Sequence, residues 1–141
     1  MTTRSISDTQ IVEFKLGIQT YCVDIQYVTE VANLERITPI PNSESHVRGL
    51  MDLRGRTTSV CDPKVLFDIE NTGDEEAILV FDADEFNTGS VSWVVDEITQ
   101  VTDLHETDLD EADVANSEGV RGVISQNDNF IIWVDPSKVM D

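Results

Sequence analysis

The sequence predicts an all-β protein with short helical turns, built as two small five-stranded β-barrels related by internal duplication. Three observations carry this prediction. A short motif returns 73 residues after its first appearance. Strand-like apolar spacing precedes each copy, and the same Asp-Pro punctuation closes each copy.

The motif is Val47-Arg48-Gly49-Leu50, answered by Val120-Arg121-Gly122-Val123. Gly49 and Gly122 stand 73 residues apart, and so do Asp62 and Asp135. Equal spacing at two separate anchors is the signature of a repeated unit. Asp62-Pro63-Lys64-Val65-Leu66 and Asp135-Pro136-Ser137-Lys138-Val139-Met140 end the two copies. Asp suits a helix N-cap, and Pro suits the first helical position, where its missing N–H would lack a partner anyway. Each copy therefore reads as strand, strand, short helical turn.

Ahead of the first copy, Val12, Phe14 and Leu16 alternate with polar residues, the period of a half-buried strand. Gly17-Ile18-Gln19-Thr20 supplies a turn, and Tyr21-Cys22-Val23-Asp24-Ile25 the returning strand. Val28, Val31 and Leu34 continue the apolar spacing. In the second copy, residues 77–81 form an unbroken apolar run and 82–89 a polar connection. Val91-Ser92-Trp93-Val94-Val95 then matches the returning strand, and Ile98 and Val101 match the spaced pair. Residues 102–119 are acidic and poor in apolar side chains, and read as a surface excursion with one helical turn near 107–112. Small sheets hide their edges by curling, and neither barrel would bury enough surface alone. The two are expected to pack together as one domain over 9–139, with a groove at the seam. The boundary between subdomains falls near 65–76, with strands free to exchange between barrels.

An apolar content of 40% supports a packed core. No apolar run approaches the ~20 residues that span a bilayer, and the opening MTTRSISDTQ has no signal-peptide character. The chain is expected in the cytoplasm, reaching a membrane only through a partner. Cys22 and Cys61 lie in strand-like segments and are expected as buried free thiols, not a disulfide. The net charge is −19, and 17 acidic residues but no Lys or Arg fall between Val65 and Val120. Such a surface repels nucleic acid and anionic lipid. A proteome working at molar salt favours the same composition, because the Debye length at 1 M is only ~3 Å. That high-salt, halophilic explanation is preferred, and it weakens any inference from charge to partner.

Residues suited to catalysis are scarce. His46 and His105 have no metal-ligand spacing to each other or to a cysteine, and no nucleotide-binding or zinc pattern occurs. The acidic segment from Asp82 fails as a calcium loop, since Phe86, Asn87 and Trp93 would fall at loop positions 5, 6 and 12. The expectation is no metal, no cofactor and no enzymatic activity. Trp93 and Trp133 are expected in the core, with a partner-binding anchor as the alternative.

The segment Val47-Arg48-Gly49-Leu50-Met51-Asp52-Leu53-Arg54-Gly55-Arg56 resembles the signature of the CheW family, Val-x-Gly-apolar-x-Asn-Leu-Arg-Gly. Ile37-Thr38-Pro39-Ile40-Pro41 before it also matches, as do Phe14-x-Leu16-Gly17-x-x-x-Tyr21-x-Val23-x-Ile25-x-x-Val28-x-Glu30-Val31 and Val94-Val95-Asp96-x-Ile98-x-x-Val101. Gly122-Val123 and the strand from Phe130 to Asp135 complete a likeness that covers nearly the whole chain. Asp52 departs from the family's Asn, residues 57–61 lack its usual Pro, and Pro63 stands where an apolar residue is typical. The resemblance implies two intertwined SH3-like barrels. It implies a non-catalytic adaptor that couples the cytoplasmic tips of methyl-accepting chemoreceptors to the regulatory domain of the histidine kinase CheA. The alternatives are a coupling protein of another kinase pathway and a nucleic-acid-binding pair of SH3-like barrels, against which the charge argues.

By the same resemblance, Val28, Glu30 and Val31 belong to a partner-contact region, and Asp52, Leu53 and Arg54 to the signature. Arg54 can bind a partner carboxylate in bidentate fashion, or it can tie the barrels together. Val95 and Val101 either line the inter-barrel groove or belong to the core. Gly49 and Gly55 are expected to serve backbone geometry.

Overall fold

A computed structural model describes residues 9–71, 73–85, 89–104, 109–110, 119–126 and 128–140. The first half contributes β1 (Thr9–Leu16), β2 (Gln19–Asp24), β3 (Val28–Asn33), β4 (Val47–Leu53), β5 (Arg56–Cys61) and the helical turn α1 (Pro63–Leu66). The second half contributes β6 (Ala77–Phe81), β7 (Val91–Val95), β8 (Glu97–Leu104), β9 (Leu109–Asp110), β10 (Val120–Gln126), β11 (Asn129–Val134) and α2 (Pro136–Val139).

The first barrel has the strand order β8-β1-β2-β11-β10-β9 and the second β3-β6-β7-β5-β4. Replacing β3, β6, β7, β5 and β4 by β8, β1, β2, β11 and β10 converts one order into the other. Among the described residues the two-residue β9 is the only addition. Each barrel thus takes one hairpin from one half of the sequence and its other strands from the other half. The registers repeat too. Trp133 pairs with Cys22 where Val60 pairs with Ser92, both in parallel ladders. A bulge interrupts β4 between Val47 and Gly49, and β10 between Val120 and Gly122. Asp62 and Asp135 cap α1 and α2, accepting from Lys64 N at 2.9 Å and Ser137 N at 3.0 Å. Their φ/ψ angles are −105°/104° and −107°/104°.

Three details differ from the sequence reading. Ile25, expected to end the returning strand, instead opens a 3-10 turn over Ile25–Tyr27. The first hairpin turn is only Gly17-Ile18, with Gly17 at φ 67°, while Gln19 and Thr20 already pair in β2. A glycine at positive φ lets a two-residue loop match the twist of its strands. In place of a helical turn, Leu109 and Asp110 pair with Ile124 and Val123. The rest of 107–112 lies outside the described residues.

Apolar side chains form three clusters. One fills each barrel, and a third lies between them. Phe14, Tyr21 and Val134 of the first barrel meet Leu79, Phe81 and Trp93 of the second in that central cluster. Trp93 is fully enclosed, its ring centroid 5.0 Å from Phe81 and 6.2 Å from Phe14. Both tryptophans are core residues, and both cysteines are buried free thiols. Burial pushes the Cys61 thiol up to about 11 and the Cys22 thiol further still. Among the described residues no helix is long and apolar enough to cross a membrane.

Candidate protein-docking surface

The second barrel presents its edge strand β3 and its β4–β5 hairpin outward. Beyond β3 the chain bends back, and Thr38 and Leu50 exchange two backbone hydrogen bonds of 2.8 Å that close the barrel. Gly49 makes this closure possible. Its φ is 142°, and a Cβ there would lie 2.2 Å from Thr38 O. The hairpin tip is Arg54-Gly55, both at positive φ (55° and 86°), the geometry of a two-residue turn between twisted strands. Arg56 Nη2 donates to Glu30 Oε1 at 2.6 Å, which brings β3 beside the hairpin that carries Arg54. Arg54 is exposed, and its guanidinium forms no hydrogen bond or ion pair with any described residue.

Next to this end, Val31, Ala77, Asp96 and Ile98 help line a groove of about 380 Å³ where the second barrel meets the start of β8. Val31 is 48% exposed and pairs with Leu79. Its duplicate in the first barrel is Val101, 51% exposed and paired with Val12. Both barrels therefore leave one valine uncovered at the same place on an edge strand.

Beneath the groove lies an ionic tie between the barrels. Lys64, 1% exposed, donates from Nζ to Asp96 Oδ1 at 2.7 Å and to Asn71 Oδ1 at 2.8 Å. The other carboxylate oxygen of Asp96 accepts from Gly17 N, in the first barrel's hairpin, at 2.6 Å.

Residues 10–141 match the CheW-like domain family. The chain belongs to that family. Its relatives include the chemotaxis protein CheW of Thermotoga maritima, 24% identical across 97% of this chain and 91% of the relative. The CheW of Bacillus subtilis is 21% identical across 100% and 92%. Among solved structures, the scaffolding protein TtCheW from Thermoanaerobacter tengcongensis superposes with a TM-score of 0.80 at 24% identity. That match covers 100% of this chain and 93% of TtCheW. The shared fold is the pair of SH3-like barrels.

Placed on this CheW fold, the residues singled out from the sequence separate into two groups. Val28, Glu30 and Val31 sit on β3, Asp52 and Arg54 at or near the hairpin tip, and Val101 on β8, all with at least part of the side chain at the surface. Leu53 is a correction, and for Val95 the core alternative holds against the groove. Leu53 points into the second barrel beside Met51 and Val60, and Val95 lies in the central cluster, so neither reaches a partner or the groove. The reason is topological: β7 is an inner strand covered on both faces, and Leu53 falls on the inward phase of β4. The suggestion that Arg54 ties the barrels is corrected as well, because Lys64 and Asp96 make that tie. Sequence reasoning missed this pair, which joins residues 32 apart with no local pattern. The partnership of Arg56 with Glu30 was equally hidden.

Proposed function

We propose that this CheW-like chain is a non-catalytic adaptor that couples chemoreceptors to the histidine kinase CheA. The observation that carries the reading is the family match along 10–141, with relatives named for chemotaxis over nearly their full lengths. In this reading β3 and the Arg54 hairpin face the kinase's regulatory domain or the cytoplasmic tips of methyl-accepting receptors. The half-exposed Val31 supplies apolar contact, and Arg54, without an internal partner, is free to bind a carboxylate or a backbone carbonyl. The two barrels act as one inseparable unit over 9–139, in the cytoplasm, reaching the receptor array through partners and inserting nothing into the bilayer. No bond is made or broken. The adaptor contributes by contacting the kinase-on and kinase-off arrangements unequally, since only a differential affinity shifts an equilibrium between states.

The test is co-purification from the native cells, with the captured kinase and receptors identified. The wild type is expected to retain both. Arg54→Ala is expected to lose one or both while keeping its folded spectrum, because the side chain has no partner to strand. Equal retention of both partners by the folded variant would reject the role assigned to Arg54. Capture of neither by the wild type would reject the adaptor reading.

A further inference from the structure

The first barrel carries a pocket of about 340 Å³ between the β1–β2 and β10–β11 hairpins. The hairpins are stitched together there, since Gln19 Nε2 donates to Phe130 O at 2.7 Å. Ile18, at 99% exposure, and Phe130, at 56%, stand on its rim. Glu13 lines its inner side although only 4% exposed, and Gln100 Nε2 donates to its Oε2 at 3.0 Å. Asp128 adds a second acidic side chain at the margin.

The duplicated barrel shows that the fold does not need a carboxylate here. Glu13 stands opposite Cys22, and in the second barrel Val80 stands opposite Ser92, the duplicate of Cys22. Valine meets the packing demand of the position. A buried carboxylate is costly unless it is paired, and burial pushes this one's pKa up from 4.5. The cost is explained if a positive group completes the site.

We propose that this pocket receives a lysine or arginine side chain of a protein partner, with Glu13 binding the cationic head while Ile18 and Phe130 cover its aliphatic stem. Long basic side chains pair an apolar stem with a charged tip, which matches an apolar rim above an acidic interior. A protein is favoured over a free amine because Ile18, on the rim, is almost wholly exposed, leaving apolar surface beyond what one side chain covers, as an anchor for a wider contact does. A metal ion is disfavoured, because no group of three metal-ligating side chains gathers among the described residues. The site lies on the barrel opposite Arg54, so its failure and the failure of the adaptor reading are separable.

The probe is the capped tripeptide acetyl-Leu-Arg-Leu-amide, titrated into the full chain while amide resonances are followed. Saturable shifts confined to the two hairpins and residue 13 are expected. Acetyl-Leu-Gln-Leu-amide should bind at least about tenfold more weakly, and Glu13→Gln should weaken the arginine peptide by a similar factor. Phe130→Ser, at an exposed position, should also weaken binding without disturbing the fold, while Glu35→Gln on the other barrel should leave it unchanged. Equal binding of both peptides, no effect of Glu13→Gln, or no saturable shift at the hairpins would each overturn the proposal.

Discussion

The two barrels share a strand order and a register, yet one buries charged groups in its interior and the other only neutral ones. The second holds Met51, Leu53, Val60, Ile78, Val80 and Val94, with one neutral polar pair, the Thr58 and Ser92 hydroxyls 3.1 Å apart. In the first, Trp133 stands where the second has Val60, Asp24 where it has Val94, and Glu13 where it has Val80. Trp133 Nε1 donates to Asp24 Oδ1 at 2.6 Å. Arg121 donates to Asp24 Oδ2 at 2.7 Å and stacks 4.1 Å from the centre of the Trp133 ring. Arg48, the duplicate of Arg121, has no counterpart of Asp24 and turns to Glu75, donating to both carboxylate oxygens at 2.8 and 3.0 Å, with a longer contact to Asp62 Oδ2 at 3.4 Å. The lesson is that backbone constraints are kept in pairs while interiors diverge as sets. A buried indole N–H needs an acceptor, a carboxylate acceptor needs a cation, and the three are useful only together.

The comparison can be broken most severely at Val94. Val94→Asp copies one member of the charged set into the barrel that lacks it, without the indole or guanidinium that satisfies it. An unpaired buried carboxylate should cost more than about 4 kcal/mol, most of the stability of a domain this size, read as loss of a cooperative urea transition. Lys64 tests a second asymmetry, since its duplicate is Ser137 and the buried ionic tie exists on one side only. Lys64→Met strands Asp96 and should cost about 3–5 kcal/mol by urea denaturation. Ser137→Ala, which strands no charge, should cost far less.

Asp24→Val gives the first barrel the second barrel's residue and leaves Trp133 Nε1 without its acceptor. About 1–3 kcal/mol should be lost, again by urea denaturation. Pairing it with Trp133→Val should return part of that loss, because the orphaned donor goes too. Glu13→Gln should have the smallest effect, and it should depend on pH. The folded protein holds the Glu13 proton more tightly than the unfolded chain, because burial raises its pKa. The penalty of ionisation is therefore absent in acid below the ordinary value of 4.5 and complete above the raised folded value. The midpoint temperature of the variant should match wild type in acid and exceed it at neutral pH.

Much of this fold was legible because duplication writes itself into the sequence twice. The 73-residue spacing, the Asp-Pro caps and the paired apolar segments located ten of the eleven described strands and both α-helical turns, but neither of the 3-10 turns at Ile25–Tyr27 and Ala83–Glu85. What was illegible depends on three-dimensional closure. Alternation along β1 suggested that Glu13 faces solvent, but β1 is a wall between two cores, and its second face is the barrel interior. Leu53 lies in the family signature and Val95 in a matching segment, yet both pack inward, so membership of a motif does not make a residue a contact. Nothing in the sequence around Lys64 marks it as buried, and only the docking of the barrels shows it facing Asp96.

The most direct test of the account is to divide the chain between α1 and β6 and express the halves 1–72 and 73–141 separately. Each barrel here is completed by strands of the other half, so neither piece alone should give dispersed amide resonances. Mixing the two should restore the spectrum and cooperative unfolding of the intact protein. A single half that folds cooperatively by itself would contradict the interleaved pair of barrels on which the docking surfaces are built.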